Sequence, residues 1–429
     1  MARSARAQEE IRRFLDIEAV QVAELDLDGD EAVLRPGPGS PPVTHGEVFV
    51  LVRQGGRPVG TLLGRVPEGA DAKAVLAERA KAVLGEQAKA RQGSEVCEPP
   101  YASVVVATRE RAGQLARALD SLLAQDHPRF EIVVVDNAPV TSGTRELVER
   151  KYAERVRYVH EPVPGLAVAH NTGLAAARGE VVAFTDDDVV ADPRWLTELT
   201  APFAADPGLG CSTGLILPAR LTTPAQVLLE SHGGFAKGFT PRTYDPARPP
   251  GDEPLFPFTA GRFGSGANMA FRTAVLRSVG GFDPATGAGT AARGGDDLYG
   301  FVRVLAEGHR LRYTPSALVW HHHRETWQDL QTQAYGYGAG LTAYLTAVLV
   351  NRPALLPAFL AKLPRGLARA HALTAVRATE GGGAPGDHDT RTHPWPRRLS
   401  RLQRRGMVYG PVGYLRARRA LRTRGEGAG

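Results

Sequence analysis

The sequence predicts an α/β fold built on a doubly wound sheet, with a small α+β module before it and a basic helical region after it. Three observations predict this. Strand-like apolar runs alternate with amphipathic helical runs from Tyr101 to Asp188, the pattern of a parallel sheet covered by helices. Carboxylates stand where strands end: Asp136 closes EIVVVD, and Asp186, Asp187 and Asp188 follow VVAFT. The composition is 43% hydrophobic and 23% charged over 429 residues, which suits a chain with a buried core and two to three domains.

Taken in order, residues 1–95 form the first unit. EVFVLVRQGGRPVGTLLGRV carries two β-rich runs around Gly55-Gly56, a hairpin signal. ADAKAVLAERAKAVLGEQAKAR follows with Leu76, Ala80, Val83 and Leu84 at helical spacing. GSEVCEPP then reads as a linker. ASVVVAT is a strand, and RAGQLARALDSLLAQ is a helix with a stripe of Leu115, Leu119, Leu122 and Leu123. FEIVVVDNA is a second strand, a helix is expected over 142–151, and RVRYVH is a third strand. LAVAHNTGLAAARG is a helix ending in glycine, and EVVAFTDDD is a fourth strand. Residues 233–262, rich in Pro, Gly and Arg, read as a long loop of the kind that serves as a lid or binding loop. Helical texture returns over 294–308 and from Glu325 onward. GGGAPGDHD, 381–389, reads as a flexible break before an arginine-rich tail. The domains expected are therefore 1–95, 96–330 and 331–429.

The formal charge of +6 is mild for this length, and no nucleic-acid motif accompanies the basic tail, so no nucleic-acid partner is expected. Cys97 and Cys211 match no metal or redox spacing, which points to a reducing compartment. MARSARAQEEIRRFLDIEAV lacks a signal-peptide core. The nearest run to a transmembrane helix, Leu330 to Asn351, is diluted by Gln, Thr, Gly and Tyr. The abundance of Ala, Arg and Gly suggests a GC-rich bacterial genome.

Three adjacent carboxylates repel one another, by about 1 kcal/mol per pair in water. A divalent cation offsets that cost, and Mg²⁺ or Mn²⁺ commonly takes one or two carboxylates together with substrate phosphates. An acidic loop, or the start of a helix at Asp192-Pro193, explains the tripeptide equally well when it is taken alone.

The segment from about Tyr101 to Trp327 resembles the family 2 glycosyltransferases, which use nucleotide sugars and have the GT-A fold. SVVVATRERAGQLARALDSLLAQ, EIVVVDNA, GLAVAHNTGLAAARGEVVAFTDDD, GSGANMAFR, VGGFDP and GGDDLYGFVRVLAEGHRL fall in the family's order. The resemblance implies that Thr108 and Arg111 line the nucleotide base and that Asp136 reads its edge. It implies that Asn171 lies near the donor, Asp186 near the ribose or metal, and that Asp188 is the main metal ligand, with Asp187 pointing elsewhere. It implies that Asp297 is the general base, with Asp296 where the family often has glutamate. Ala107, Glu110 and His170 depart from the family's commoner proline, asparagine and arginine.

The implied reaction is an inverting transfer of a sugar, from a UDP-sugar or another nucleotide-diphospho-sugar, to a hydroxyl acceptor. Cell-envelope glycans, lipid-linked acceptors and small natural products are the acceptor classes in view. A base must take the acceptor proton, and the opening of a helix favours an ionised carboxylate, so Asp297 is expected to be charged. A helix cap is the competing role for Asp296 or Asp297. In VWHHHRETW only His321 and His323 can converge on one strand face. His321 resembles by position a metal-ligating histidine, and a structural role is the alternative. Trp320, Trp327, Tyr335 and Tyr337 are candidates for stacking on a sugar or for packing. LTAYLTAVLVNRPALLPAFLAKLPRGLARAH mixes apolar and basic residues, as a segment at an anionic membrane surface does. The expected location is the cytoplasm, peripheral to the inner face of the membrane. Metal-dependent nucleotidyl transfer and inactive nucleotide-sugar binding are the alternatives. The first is disfavoured because no glycine-rich, lysine-bearing loop follows the first strand.

Overall fold

A computed structural model of the chain describes residues 14–27, 32–84, 98–232, 234–379 and 395–426. The linker GSEVCEPP up to Cys97, the 95/96 boundary and the break at 381–389 lie outside the described residues.

The first unit is a sheet in the order β2-β1-β3-β4: β1 Gln21–Asp26, β2 Val33–Pro36, β3 Gly46–Gln54 and β4 Arg57–Val66. The turn between β3 and β4 is Gly55-Gly56, with φ of 57° and 71°. Both values are left-handed, which glycine adopts without the Cβ penalty. Helix α1, Ala72–Leu84, covers one face through Leu76, Ala77, Ala80 and Leu84. The other face is not left to solvent. Phe49 and Leu51 of β3 pack with Leu215, Leu217, Leu318 and Trp320 of the large sheet. Removing residues 14–84 would uncover that cluster, at about 1.5–3 kcal/mol for each large apolar side chain exposed. A buried ion triad reinforces the contact: Arg53 reaches Glu24 Oε2 and Asp192 Oδ2, both at 2.6 Å.

The large sheet has nine strands in the order β11-β13-β10-β12-β8-β5-β6-β7, with β9 paired to β13. Its first half comprises β5 Ala102–Thr108, α2 Ala112–Leu123, β6 Phe130–Asn137, α3 Gly143–Leu147, β7 Val156–Glu161, α4 Leu166–Ala176 and β8 Val181–Asp186. All pairings among β8, β5, β6 and β7 are parallel. The apolar runs of β5, β6 and β8 are buried on both faces, as parallel strands are, and the edge strand β7 is half-buried. The chain winds outward from β5 to β7 and returns to β8 on the other side of β5, which creates a switch point between Thr108 and Asp186. Helix α4 ends at Ala176, before Gly179, because Ala177 is extended. The expected helix over 142–151 is a short α-helix continued by a π-helical turn over Val148–Tyr152.

The parallel sheet expected from residues 101–188 is thus present, and the second half, where the sequence pattern loosens, is mixed. It contains β9 Val189–Ala191, α5 Trp195–Ala205, β10 Leu209–Pro218, α6 Pro224–Ser231, β11 Arg242–Tyr244, β12 Asn268–Arg272, α7 Thr273–Ser278, α8 Asp296–Ala306 and β13 Arg310–His321. β12 runs antiparallel to both β8 and β10. Strand-length apolar patterning does not encode direction, and NMAFR is too short to declare it. The 233–262 segment is largely irregular, as expected, yet Phe256, Phe258 and Ala260 are buried in the main core.

The C-terminal region consists of α9 Trp327–Asn351, α10 Leu356–Thr379 and α11 Arg397–Glu426. Gly338 of α9 faces Gln403 of α11, and Gly406 and Gly410 of α11 face Tyr335 and Thr342 of α9. A methyl group at any of the three would overlap the facing helix. Asp283 binds the region to the large-sheet unit, accepting from Tyr414 Oη at 2.8 Å and Asn351 Nδ2 at 2.6 Å. Among the described residues no single helix is long and apolar enough to cross a membrane.

Candidate active site

The carboxyl ends of β5 and β8 open onto a cavity of about 1010 Å³. Arg111, Asp186, Asp296, Asp297 and Arg324 line it, together with Phe235, Lys237 and Tyr337 from the loop and α9.

β8 delivers three carboxylates with three different duties. Asp187 turns away, as expected, and accepts from Thr108 Oγ1 at 2.7 Å and Arg111 Nη1 at 3.1 Å. Thr108 and Arg111 therefore hold this turn, a role the sequence did not suggest. Arg111 also reaches Asp188 Oδ2 at 3.4 Å, and Arg324 stands 3.8 Å from the same atom. Asp186, Asp188 and His321 each offer one ligand atom, all within 4.8 Å of one another. β13 places His321 there because its backbone pairs with β9, which immediately follows the acidic turn.

Burial and the adjacent Asp188 push Asp186 up to about 7. Burial would raise Asp188 too, but His321, Arg324 and Arg111 outweigh it and hold its carboxyl well below the usual range. Burial favours neutral His321, and Asp188 overrides that and raises it.

The histidine tautomers test whether a cation suits this cluster. His323 Nε2 lies 3.1 Å from Glu230 Oε2, and His323 Nδ1 lies 3.1 Å from His321 Nδ1. A carboxylate only accepts, so His323 Nε2 carries the proton. Burial keeps His323 neutral, so its Nδ1 accepts from His321. Were His321 neutral, it would turn a bare Nε2 toward Asp188 Oδ1, 3.3 Å away. That oxygen is buried and makes no aligned hydrogen bond. Two acceptors facing each other require a proton or a cation between them. With hard carboxylate oxygens and an imidazole, the donor set suits Mg²⁺ or Mn²⁺. Glu230 and His323 supply the outer hydrogen bonds that orient metal-binding histidines. The HHH run signalled this pair; nothing in the sequence pointed to Glu230.

Asp297 faces the cavity from the first turn of α8. It accepts from Gly266 N at 2.9 Å and from Leu298 N at 2.8 Å. Burial, with Asp296 beside it, pushes it up to about 6. Desolvation thus exceeds the help of the helix terminus expected from sequence and brings the titration up toward neutral pH, with the carboxylate still mostly ionised at pH 7. Neither aspartate is the cap residue, which is Gly295. Asp296 is buried 3.2 Å from His170 Nδ1, and His170 packs between Phe184 and Phe282.

Asp136 is fully buried at the end of β6 and accepts from Tyr158 Oη at 2.9 Å. Its second oxygen has no partner, and burial raises its pKa. Asn171 spends its amide on Phe282, accepting from the backbone N at 2.9 Å and donating to the backbone O at 2.8 Å. It anchors the VGGFDP turn. Glu110 ties two loops near Asp136 by accepting from Val140 N and Thr141 N. Trp320 is buried in the core, whereas Trp327 and Tyr335 line a second cavity of about 530 Å³.

Residues 103–278 match the family model described as Glycosyl transferase family 2. The expected GT-A fold agrees with that match and with the sheet described above. A Pre-mycofactocin glycosyltransferase of Mycobacterium tuberculosis is 28% identical over 242 residues, covering 55% of this chain and 46% of that protein. An uncharacterized glycosyltransferase of Nostoc sp. is 34% identical over 111 residues, covering 25% of this chain and 34% of that protein. The chain thus spans less than half the length of these relatives. A solved mannosyltransferase from Pyrobaculum calidifontis, in complex with GDP-Man and Mn²⁺, is 22% identical with a TM-score of 0.47. That overlay covers 79% of this chain and 94% of the other.

Proposed function

From the match of residues 103–278 to the model of Glycosyl transferase family 2, we propose an inverting transfer of a hexose from a nucleotide-diphospho-sugar to a hydroxyl acceptor. A UDP-sugar is the donor to test first. The observation that carries the reading is one cavity lined by Asp186, which shares a cation-sized cluster with Asp188 and His321, and also by Asp296 and Asp297.

Asp186, Asp188 and His321 would hold Mg²⁺ or Mn²⁺, which supplies charge stabilisation for the departing diphosphate. Arg111 and Arg324 add positive charge on the same side. Asp136, with one unpartnered oxygen, is the group for the edge of the base. Asp297 takes the proton of the acceptor hydroxyl as that oxygen attacks the anomeric carbon from the face opposite the diphosphate. A pKa near the working pH suits a general base. The two backbone N–H donors fix the carboxylate and leave it lone pairs for the acceptor. Cell-envelope glycans, glycolipids and natural products are the acceptor classes proposed.

The test is turnover of UDP-, GDP- and dTDP-sugars with Mn²⁺ and an acceptor panel, with the product anomer read by NMR. The expected result is nucleotide diphosphate release and a product of inverted configuration. Pyrophosphate release from a nucleoside triphosphate would favour nucleotidyl transfer. Donor binding without turnover would favour an inactive binder. A retained configuration would remove Asp297 from its role.

A further inference from the structure

We propose that the free face of α11 docks on an anionic lipid bilayer and brings the acceptor entrance to the bilayer surface. One face of α11 is taken: Gly406, Gly410, Tyr414 and Ala417 are buried. The opposite face exposes Val408 at 81%, Val412 at 46% and Leu415 at 55%. Steps of four and three residues put the three side chains on one strip of helix. Exposed arginines bracket the strip, with Arg401, Arg404 and Arg405 before it and Arg416, Arg419 and Arg422 after it. No acidic residue occurs between Arg397 and Gly425.

In water this arrangement has two costs. The apolar strip stays wet, and the arginines repel one another with no interspersed acids to offset them. An anionic bilayer removes both, since the strip enters the acyl boundary while the arginines meet headgroup phosphates. α10 repeats the apolar spacing, with Leu356, Leu360 and Leu363 exposed. Elsewhere among the described residues, large exposed apolar side chains such as Leu15, Val33 and Val140 lie far from one another in sequence.

The helix also reaches the site. Arg398 and Leu402 line the second cavity with Trp327 and Tyr335. Arg293 and Thr332 line both that cavity and the one containing Asp297. A hydroxyl on a lipid-anchored acceptor would enter along this path, a consequence that rests on the transfer reading above. The docking itself does not.

The test is flotation of the full chain with phosphatidylcholine vesicles, with or without about 30 mol% phosphatidylglycerol. The anionic vesicles should capture about tenfold more protein, with capture falling as salt rises. A Val408→Ser, Val412→Ser, Leu415→Ser variant should lose about tenfold in partition. An Arg401→Gln, Arg404→Gln, Arg405→Gln variant should lose the preference for the anionic lipid. Nucleotide release from a UDP-sugar in solution should match the parent in both variants, which keeps a failure of docking separate from a failure of transfer. Equal capture by the two vesicle types overturns the proposal. So does parental flotation of the serine variant. A parental dimer that the serine variant dissociates assigns the face to a second copy instead. Binding to single-stranded DNA that needs the arginines but not the strip, without vesicle capture, assigns it to a polyanion.

Discussion

Asp186 and Asp188 share their surroundings with Arg111, Arg324 and His321. Asp296 and Asp297, across the same cavity, have His170 and backbone N–H groups near them, and no arginine or lysine pairs with either among the described residues. Burial works against charge on both sides. At an effective dielectric of about 20, a unit charge 4 Å away contributes about 4 kcal/mol, enough to reverse that penalty. Asp188 is therefore held ionised throughout, while Asp297 titrates at about 6, just below neutral pH. One residue type thus supplies a permanent anion at Asp188 and titrating groups at Asp297 and at Asp186, which is pushed up to about 7. The contrast teaches that an aspartate's own ion pairs, more than its place beside the cavity, decide its charge.

The contrast breaks most sharply by mutation. Asp188→Ala should reduce donor turnover to background, and saturating chelator should do the same to the parent. Equal turnover in chelator and in Mn²⁺ would remove the metal from the account. Asp297→Asn should lower transfer by roughly 10²–10⁴ while donor affinity, measured on the same preparation, stays nearly constant. A parental rate for Asp297→Asn with loss in Asp296→Asn would move the base to the neighbour. Next in size is Glu230→Gln, which loosens the tautomer of His321. Metal affinity, read by calorimetry, should weaken by about 10–100-fold, and unchanged affinity would reduce the His323 chain to packing.

The smallest effect is a pH limb. The base must be ionised to act, and its ionised fraction grows as pH rises through about 6. Below that value kcat/KM should fall about tenfold per pH unit, and above it the profile should level. The limb should vanish from whatever activity Asp297→Asn retains. A profile flat from pH 5 to 8, to within about twofold, would mean that burial does not set the charge of Asp297.

Much of this was legible in the sequence because it is local. Strand β8 and its acidic turn, the Gly55-Gly56 hairpin and the convergence of His321 with His323 all follow from short-range periodicity. Pairings between distant segments were not legible. Arg53 meets Asp192 across 139 positions, and His323 meets Glu230 across 93. Neither partner is distinguishable in sequence from a surface charge. Thr108, Arg111 and Asn171 were expected beside the donor. The contacts that sequence did not show are that Thr108 and Arg111 hold Asp187 and that Asn171 holds the Phe282 backbone. The upward shift of Asp297 was not legible because a helix terminus can be read from sequence and desolvation cannot.

Gly338, Gly406 and Gly410 let α9 and α11 touch backbone to backbone. No layer of side chains lies between them to act as a bearing. Two helices joined in this way cannot slip past each other by small rotamer changes; they move as one strut. α11 is thereby a fixed outrigger on the catalytic domain, with its angle set at the crossing. An alanine at Gly406 would act as a wedge near one end of that outrigger. The wedge would press on the Tyr335 backbone, and the tilt it introduced would grow along the helix toward Leu415 and would change how the cavity containing Asp297 is presented.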